Sequence, residues 1–257
     1  MSEALVTFEL RDGVAWIALD RPAKRNAISD ALLDALDSAV ARAQGAARAI
    51  VIQGNGPCFS AGLDLGEHKA RTAEEVFQHS RGWHAVFRRI RAGRVPAIAA
   101  IHGACVGGGL ELAAACHIRV ADETAFFALP EGMRGIFVGG GASVHVARLI
   151  GAARMADMML TARALDAAAA ERAGLVTYVT PPGEAPAKAA SLAATVARMA
   201  PLTVMGVLQA LPRIQDMSEE DGLFVESMMA ALAQTGPEAQ AGLAAFLEKR
   251  AAKAGGD

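Results

Sequence analysis

The chain is poor in cysteine, has no long apolar run, and carries no excess of basic charge. Its 257 residues contain three cysteines, Cys58, Cys105 and Cys116, and no C-x-x-C pair. An odd, widely spaced set excludes a cysteine metal cluster and argues against a disulfide framework; it fits a reducing compartment. Lys and Arg number 25 against 27 Asp and Glu, a net charge of −2. Nucleic-acid surfaces need a basic face or stripe, so no nucleic-acid partner is expected. The densest basic run, Arg88-Arg89-Ile90-Arg91 with Arg94, reads as the solvated side of a helix. No apolar segment approaches a membrane span, and no membrane partner is expected. The start Met1-Ser2-Glu3-Ala4 lacks the basic and apolar regions of a secretion signal. These absences together predict a cytoplasmic, soluble protein.

Hydrophobic residues make up 53% of the chain and charged ones 20%, ample for a packed core. Alanine is abundant and favours helix. Leu5 to Leu10 and Val14 to Leu19 read as strands joined by Asp12-Gly13, a hairpin signal. A helix is predicted from Ser29, its N-cap, to Gln44, with Gly45 ending it and Leu32, Leu33, Leu36 and Val40 facing inward. Ala49 to Gln53 and Ala97 to Ile101 are buried strands, with a mostly helical stretch from Glu67 to Arg94 between them. Further helices are expected from about Gly109 to Ala115, Ser143 to Ile150, Ala152 to Leu160 and Asp166 to Ala173, and strands at Ile118 to Ala121 and Leu175 to Val179. Pro181-Pro182-Gly183 marks a boundary, and the chain beyond it reads as helical from Ala185 to about Lys253. Alternating strands and helices followed by helices alone imply an α/β core, residues 1–183, with a helical C-terminal region, residues 184–257.

Three segments carry chemistry. Gly107-Gly108-Gly109 lies between a strand and a helix and ends in Leu110-Glu111. Without Cβ atoms such a backbone turns sharply and lets a ligand approach. The N–H groups at a helix start are unpaired and partly positive, and they stabilise an oxygen that gains negative charge. Phe59-Ser60-Ala61-Gly62-Leu63-Asp64 follows another strand and offers the N–H of Leu63 as a second donor. The third segment is Phe127-Ala128-Leu129-Pro130-Glu131. Taken singly, Glu131 reads as a loop or cap residue and Glu111 as a helix-dipole partner. An ionisable group in a stretch as apolar as Leu110 to Ala114 nevertheless needs a partner or a function.

Together these segments resemble the crotonase superfamily, the enoyl-CoA hydratases and isomerases. The likeness covers nearly the whole chain. It runs through Arg21-Pro22-Ala23-Lys24-Arg25-Asn26-Ala27, Phe59 to Asp64, His102 to Glu111, Leu129-Pro130-Glu131 and Ala173-Gly174-Leu175-Val176. The resemblance implies a crotonase-like spiral of ββα units followed by a helical region used in oligomerisation, as a homotrimer or dimer of trimers. It implies an acyl-CoA thioester substrate, with coenzyme A as part of that substrate, no other cofactor and no metal. By position, Glu111 and Glu131 match the two catalytic glutamates. The N–H groups of Leu63 and Gly108 match the oxyanion hole, and Arg25, Ala27, Ala61, Asp64 and Leu65 match the substrate-lining positions.

The activity implied is hydration of a 2-enoyl-CoA, one glutamate acting as base and the other as acid, in an order the sequence leaves open. A Δ3-Δ2 enoyl-CoA isomerase, another thioester reaction, or a non-catalytic acyl-CoA or RNA-binding protein are the alternatives. Gly139 stands where dienoyl-CoA isomerases of the family place an aspartate, which counts against that activity. Gly66 stands where many hydratases carry a lysine, leaving Lys24, Arg25 or another basic side chain to meet a coenzyme phosphate. His117 replaces a frequent aspartate and reads as a core or strand-edge histidine. The run Gly139-Gly140-Gly141 lacks the P-loop lysine and reads as backbone packing near the acyl group.

Overall fold

The computed structural model describes residues 4–67 and 71–248. The helical expectation for residues 68–70 and for 249–253 falls outside them. The described chain divides into two compact units between Ala197 and Arg198.

In the first unit, strands β1 (Val6–Arg11) and β2 (Val14–Leu19) form an antiparallel hairpin. Its turn places Asp12 and Gly13 at φ 49° and 77°, the left-handed pair that a two-residue hairpin requires. Helix α1 (Asp30–Ala46) leads to β3 (Ala49–Gly54), and α2 (Ala73–Arg91) leads to β4 (Ala97–Ile101). Next come β5 (Ala104–Val106), α3 (Gly108–Ala115), β6 (Ile118–Asp122) and β7 (Phe126–Ala128). Helices α4 (Ala142–Ile150) and α5 (Ala152–Thr161), β8 (Leu165–Asp166), α6 (Ala167–Arg172), β9 (Tyr178–Thr180) and α7 (Ala185–Ala197) complete the unit.

Six strands make one sheet in the order β1-β2-β3-β4-β6-β9, parallel from β2 onward. Both of its faces are buried. Ala15, Ile17, Leu19, Ile50, Ile52, Ala99 and Ile101 point to one core, while Val14, Val51, Ile98, Ala100 and Val120 point to another. Sheets buried on both sides read as near-continuous apolar runs, which is why these strands were legible. The second core is closed by Ala185, Ala189 and Ala193 of α7. Alanines four apart make a smooth stripe that lets helix and sheet approach closely. This packing carries the compact core to Ala197, past the boundary at residue 183 that the prolines suggested.

A second layer of shorter segments runs beside the sheet. Ile28 bridges Leu63, Ser60 bridges Cys105, β5 pairs with β7, and β7 with β8. The segments after β2, β3, β4 and β6 therefore stack in chain order, and the chain advances as a coil. Three of these strands, β5, β7 and β8, escape a sequence reading because they span only two or three residues. The strand expected at Leu175 to Val179 begins later, at Tyr178; Leu175 and Val176 are buried outside it. Helix α1 passes through Gly45 to Ala46.

Two polar residues tie the coil together. Asn26 is fully buried at φ 53°. Its Nδ2 donates to Asn55 O and Cys58 O at 2.9 and 2.8 Å, and its Oδ1 accepts from Arg21 N–H at 2.9 Å. His117 lies between α2 and β4: its Nδ1 accepts from Ala97 N–H at 3.0 Å, and its Nε2 donates to Arg91 O at 3.0 Å. That pattern requires the neutral ring. Burial, the largest cause, pushes the His117 pKa down from 6.5 to about 4.

The second unit comprises α8 (Pro201–Met205), a π turn (Gly206–Ala210), α9 (Leu211–Ile214), α10 (Glu219–Gln234) and α11 (Pro237–Leu247). Phe224, Leu243 and Phe246 on α10 and α11 are largely exposed. Among the described residues, no single helix is long and apolar enough to cross a membrane.

Asn26→Ala removes three bonds to buried backbone groups and is expected to cost about 3 kcal/mol of unfolding free energy, read from the urea midpoint. A loss below about 1 kcal/mol would show these bonds to be replaceable. For His117, folded and unfolded rings are both neutral above pH 6.5. Between 6.5 and about 4 the unfolded chain gains a proton that the folded chain refuses, so stability falls as pH drops through that window. His117→Gln, which can keep both bonds, should flatten this part of the melting-temperature profile; an unchanged acid slope would contradict the assignment.

Candidate active site

The coil brings the ends of adjacent second-layer segments into contact. Ser60 N–H donates to Ala104 O at 2.9 Å, and Val106 N–H donates back to Ser60 O at 3.0 Å. Ser60 Oγ donates to Asn26 O at 2.8 Å and accepts from Gly62 N–H at 3.2 Å, shaping the turn that follows. Gly62 adopts φ 90°, and a Cβ there would lie 2.6 Å from Val106 O and 3.2 Å from Gly108 N. The N–H groups of Leu63 and Gly108 are thus near neighbours. Among the described residues neither donates a hydrogen bond. Gly108 opens α3, where the first N–H groups have no partner within the helix.

Gly107 N–H donates to Ala128 O at 2.9 Å and so fastens the entry of α3 to the turn that carries Glu131. The backbone at Gly107 has φ 52° and ψ −122°, a conformation that suits glycine. A side chain there would also meet Glu131 Oε1 at 2.6 Å. Glu131 is buried, and its Oε2 has no hydrogen-bond partner among the described residues.

Glu111 sits one turn into α3 and is 4% exposed. Its Oε1 accepts from Gly140 N–H at 2.8 Å and Ala142 N–H at 3.0 Å, at the start of α4. Gly140 has no room for a side chain: a Cβ would lie 2.7 Å from Glu111 Oε2 and 3.0 Å from the Phe87 ring. The run Gly139-Gly140-Gly141 therefore wraps a carboxylate of its own chain.

Both glutamates have pKa values above the ordinary carboxylate range. For Glu111 the cause is burial, opposed by the N–H groups of Ala142, Gly140 and Gly141. For Glu131 it is burial first, with the neighbouring Glu111 charge adding to it and Arg134 opposing it. Two acids in one dry site with unequal donors favour one ionised and one neutral carboxyl. The donors on Glu111 favour its charged form and so oppose the upward push of burial.

Six of the sequence-predicted residues line a single cavity: Glu111, Glu131, Leu63, Gly108, Ala61 and Leu65. Arg25, Ala27 and Asp64 do not line it. Asp64 braces the loop instead, its Oδ2 accepting from Arg21 Nη1 at 2.9 Å and its Oδ1 from Gly66 N–H at 3.0 Å. Arg25 is exposed nearby, and its carbonyl accepts from Ala61 N–H at 2.9 Å. Sequence reasoning missed the opposite wall, which α2 supplies through Val76, His79, Ser80 and Trp83. The spacing of Val76, Trp83, Phe87 and Ile90 is a helical face and was the available signal. Trp83 packs edge-on against Phe87, ring centroids 5.5 Å apart, and backs directly onto Gly108. The three cysteines are buried away from this chemistry, with Cys116 pushed up to about 12 by burial. Among the described residues no cluster of His, Cys, Asp or Glu is placed to hold a metal ion.

Two buried carboxylates and two N–H groups that line one cavity make it the candidate active site. The sequence profile of enoyl-CoA hydratase/isomerase matches residues 9–256, and the chain belongs to that family. It is 34% identical over 253 residues to the Mycobacterium bovis protein named "Probable enoyl-CoA hydratase echA8", covering 98% of each chain. It is 34% identical over 252 residues to the 2,3-dehydroadipyl-CoA hydratase of Escherichia coli, covering 97% of each. Among solved structures, one titled "putative enoyl-CoA hydratase" from Rhodopseudomonas palustris is 50% identical, with a TM-score of 0.93 over 96% of this chain and 95% of that one. The fold is thus the crotonase fold of these enzymes.

Gly108→Ala would place a methyl 2.7 Å from the Trp83 ring. The variant is expected to lose about 1–3 kcal/mol of stability and to shift tryptophan emission, to which only Trp16 and Trp83 contribute. Unchanged emission would mean that Trp83 does not press on this turn.

Proposed function

We propose that this protein is a 2-enoyl-CoA hydratase that adds water across the 2,3 double bond of an enoyl-CoA thioester to form a 3-hydroxyacyl-CoA. The observation that carries this reading is the pair Glu111 and Glu131, both buried in one cavity beside the N–H groups of Leu63 and Gly108.

The thioester oxygen accepts from those two N–H groups. Charge drawn onto that oxygen makes the β carbon electrophilic, and the donors stabilise the enolate-like species that follows. Glu111, held ionised at the start of α4, takes a proton from a water whose oxygen bonds to the β carbon. Glu131, held neutral by burial and by its neighbour's charge, delivers its proton to the α carbon. The proton on Glu111 then passes to Glu131, so the net change is one water added. The coenzyme portion runs outward toward the exposed Lys24 and Arg25, with Ala27 and Asp64 belonging to the loop that supports it.

Glu111→Gln and Glu131→Gln keep size and hydrogen bonding but cannot exchange protons. Each should lower turnover of crotonyl-CoA by about 10²–10⁴-fold, followed by loss of the conjugated thioester absorbance, while acyl-CoA still binds. Near-normal hydration by either variant would sink the assignment. Conversion of a 3-enoyl-CoA to its 2-enoyl isomer, without hydration, would give the isomerase reading in its place.

A further inference from the structure

The cavity wall formed by α2 and the residue before its cap is not uniformly apolar. Arg71 and His79 both line it, and both are held from behind by one carboxylate, Asp30, which does not. Arg71 Nη2 donates to Asp30 Oδ2 at 2.9 Å, and His79 Nε2 lies 2.7 Å from Asp30 Oδ1. The Arg71 and His79 side chains are each 23% exposed, whereas Asp30 is 59% exposed. Asp30 thus faces solvent and orients two nitrogen donors whose other N–H groups remain for the cavity. A guanidinium has five donors in a planar fork that matches a carboxylate.

Trp83 adds a third donor. Its Nε1 lies 3.3 Å from the same His79 Nε2 that faces Asp30. One ring nitrogen cannot donate to a carboxylate and accept from an indole at once. The shorter contact to the anion assigns the proton to Nε2, so the Trp83 N–H has no acceptor there. A buried indole N–H usually finds a partner.

These donors line one cavity. Trp83 touches Gly108, beside the N–H pair that receives the thioester oxygen. His79 lies one turn back along α2, about 6 Å along the axis, and the Arg71 guanidinium lies next to it through Asp30. Val76, Leu65, Ile136 and Phe137 supply apolar wall of the same cavity. An acyl chain held by its thioester at Gly108 shares this cavity with that apolar surface and with the Arg71 fork.

We propose that the site selects an acyl-CoA whose acyl chain ends in a carboxylate, with Arg71 as the residue that reads it. Only the identity of the thioester end rests on the hydratase reading. The test uses non-reacting ligands: a straight-chain six-carbon acyl-CoA ending in methyl and the counterpart of equal length ending in carboxylate, with dissociation constants taken by calorimetry at low salt. The carboxylate form should bind about 10- to 100-fold more tightly. Arg71→Met should bring that ratio near one. Arg71→Lys, which keeps the charge without the fork, should retain part of it. Arg163→Met, at an arginine paired with Asp157 outside the cavity, should leave the ratio unchanged. Equal or tighter binding of the methyl form to the wild-type protein, or an Arg71→Met variant that keeps the ratio, overturns the proposal. Turnover of the corresponding 2-enoyl thioesters is read separately. If neither is hydrated while the binding ratio depends on Arg71, the hydratase reading falls and the carboxylate subsite stands.

Discussion

The site depends on how one buried carboxylate is satisfied. Glu111 lies inside an apolar helix with Leu110, Leu112 and Ala113 around it, all fully buried. An isolated ion there would be too costly to keep. The first N–H groups of α4 supply what water would have supplied, and they are available only because helix starts leave donors unpaired. That single arrangement joins α3 to α4, leaves no room for a side chain at Gly140, and gives the Glu111 carboxylate two backbone donors. Glu131 lies close by, and its Oε2 has no hydrogen-bond partner among the described residues.

Close approach elsewhere follows from the coil. Stacked segments set the Leu63 turn against the entry of α3, and three glycines sit where a Cβ would strike a neighbour. Gly62 meets Val106 O, Gly107 meets Glu131, and Gly108 meets Trp83. The turns are braced from outside by Asn26, Ser60 and the Arg21–Asp64 pair. The N–H groups of Leu63 and Gly108 therefore belong to turns that are hydrogen-bonded on several sides.

Legibility in the sequence followed signal length. The strands of the large sheet are apolar on both faces, so β3, β4 and β6 were visible as runs. Helix α1 was visible from its Ser29 cap and inward leucines. The strands β5, β7 and β8 were not, because two or three residues show no periodicity, and they take their conformation from neighbours already in place. Asp64, read as a substrate-lining position, also holds Arg21, a pairing that motif position does not reveal. The α2 wall was not read at all: the run Arg88-Arg89-Ile90-Arg91 was taken as a solvated side, and the inward face of Trp83, Phe87 and Ile90 is thinly spread among such residues.

By itself the sequence determined the fold class, the two glutamates, and the two glycine turns whose N–H groups stand beside them. These are carried by local composition and by motifs in which glycine is the one residue that fits. Tertiary structure alone decided that the two carboxylates share one cavity, that Glu111 receives the N–H groups of Gly140 and Ala142, and that α2 closes the opposite side with Trp83 and His79, with Arg71 just before the helix. Those facts depend on contacts between residues far apart in the chain: 29 positions separate Glu111 from Gly140, and 41 separate Asp30 from Arg71. No local pattern encodes such pairings, because each exists only after the coil has closed around it.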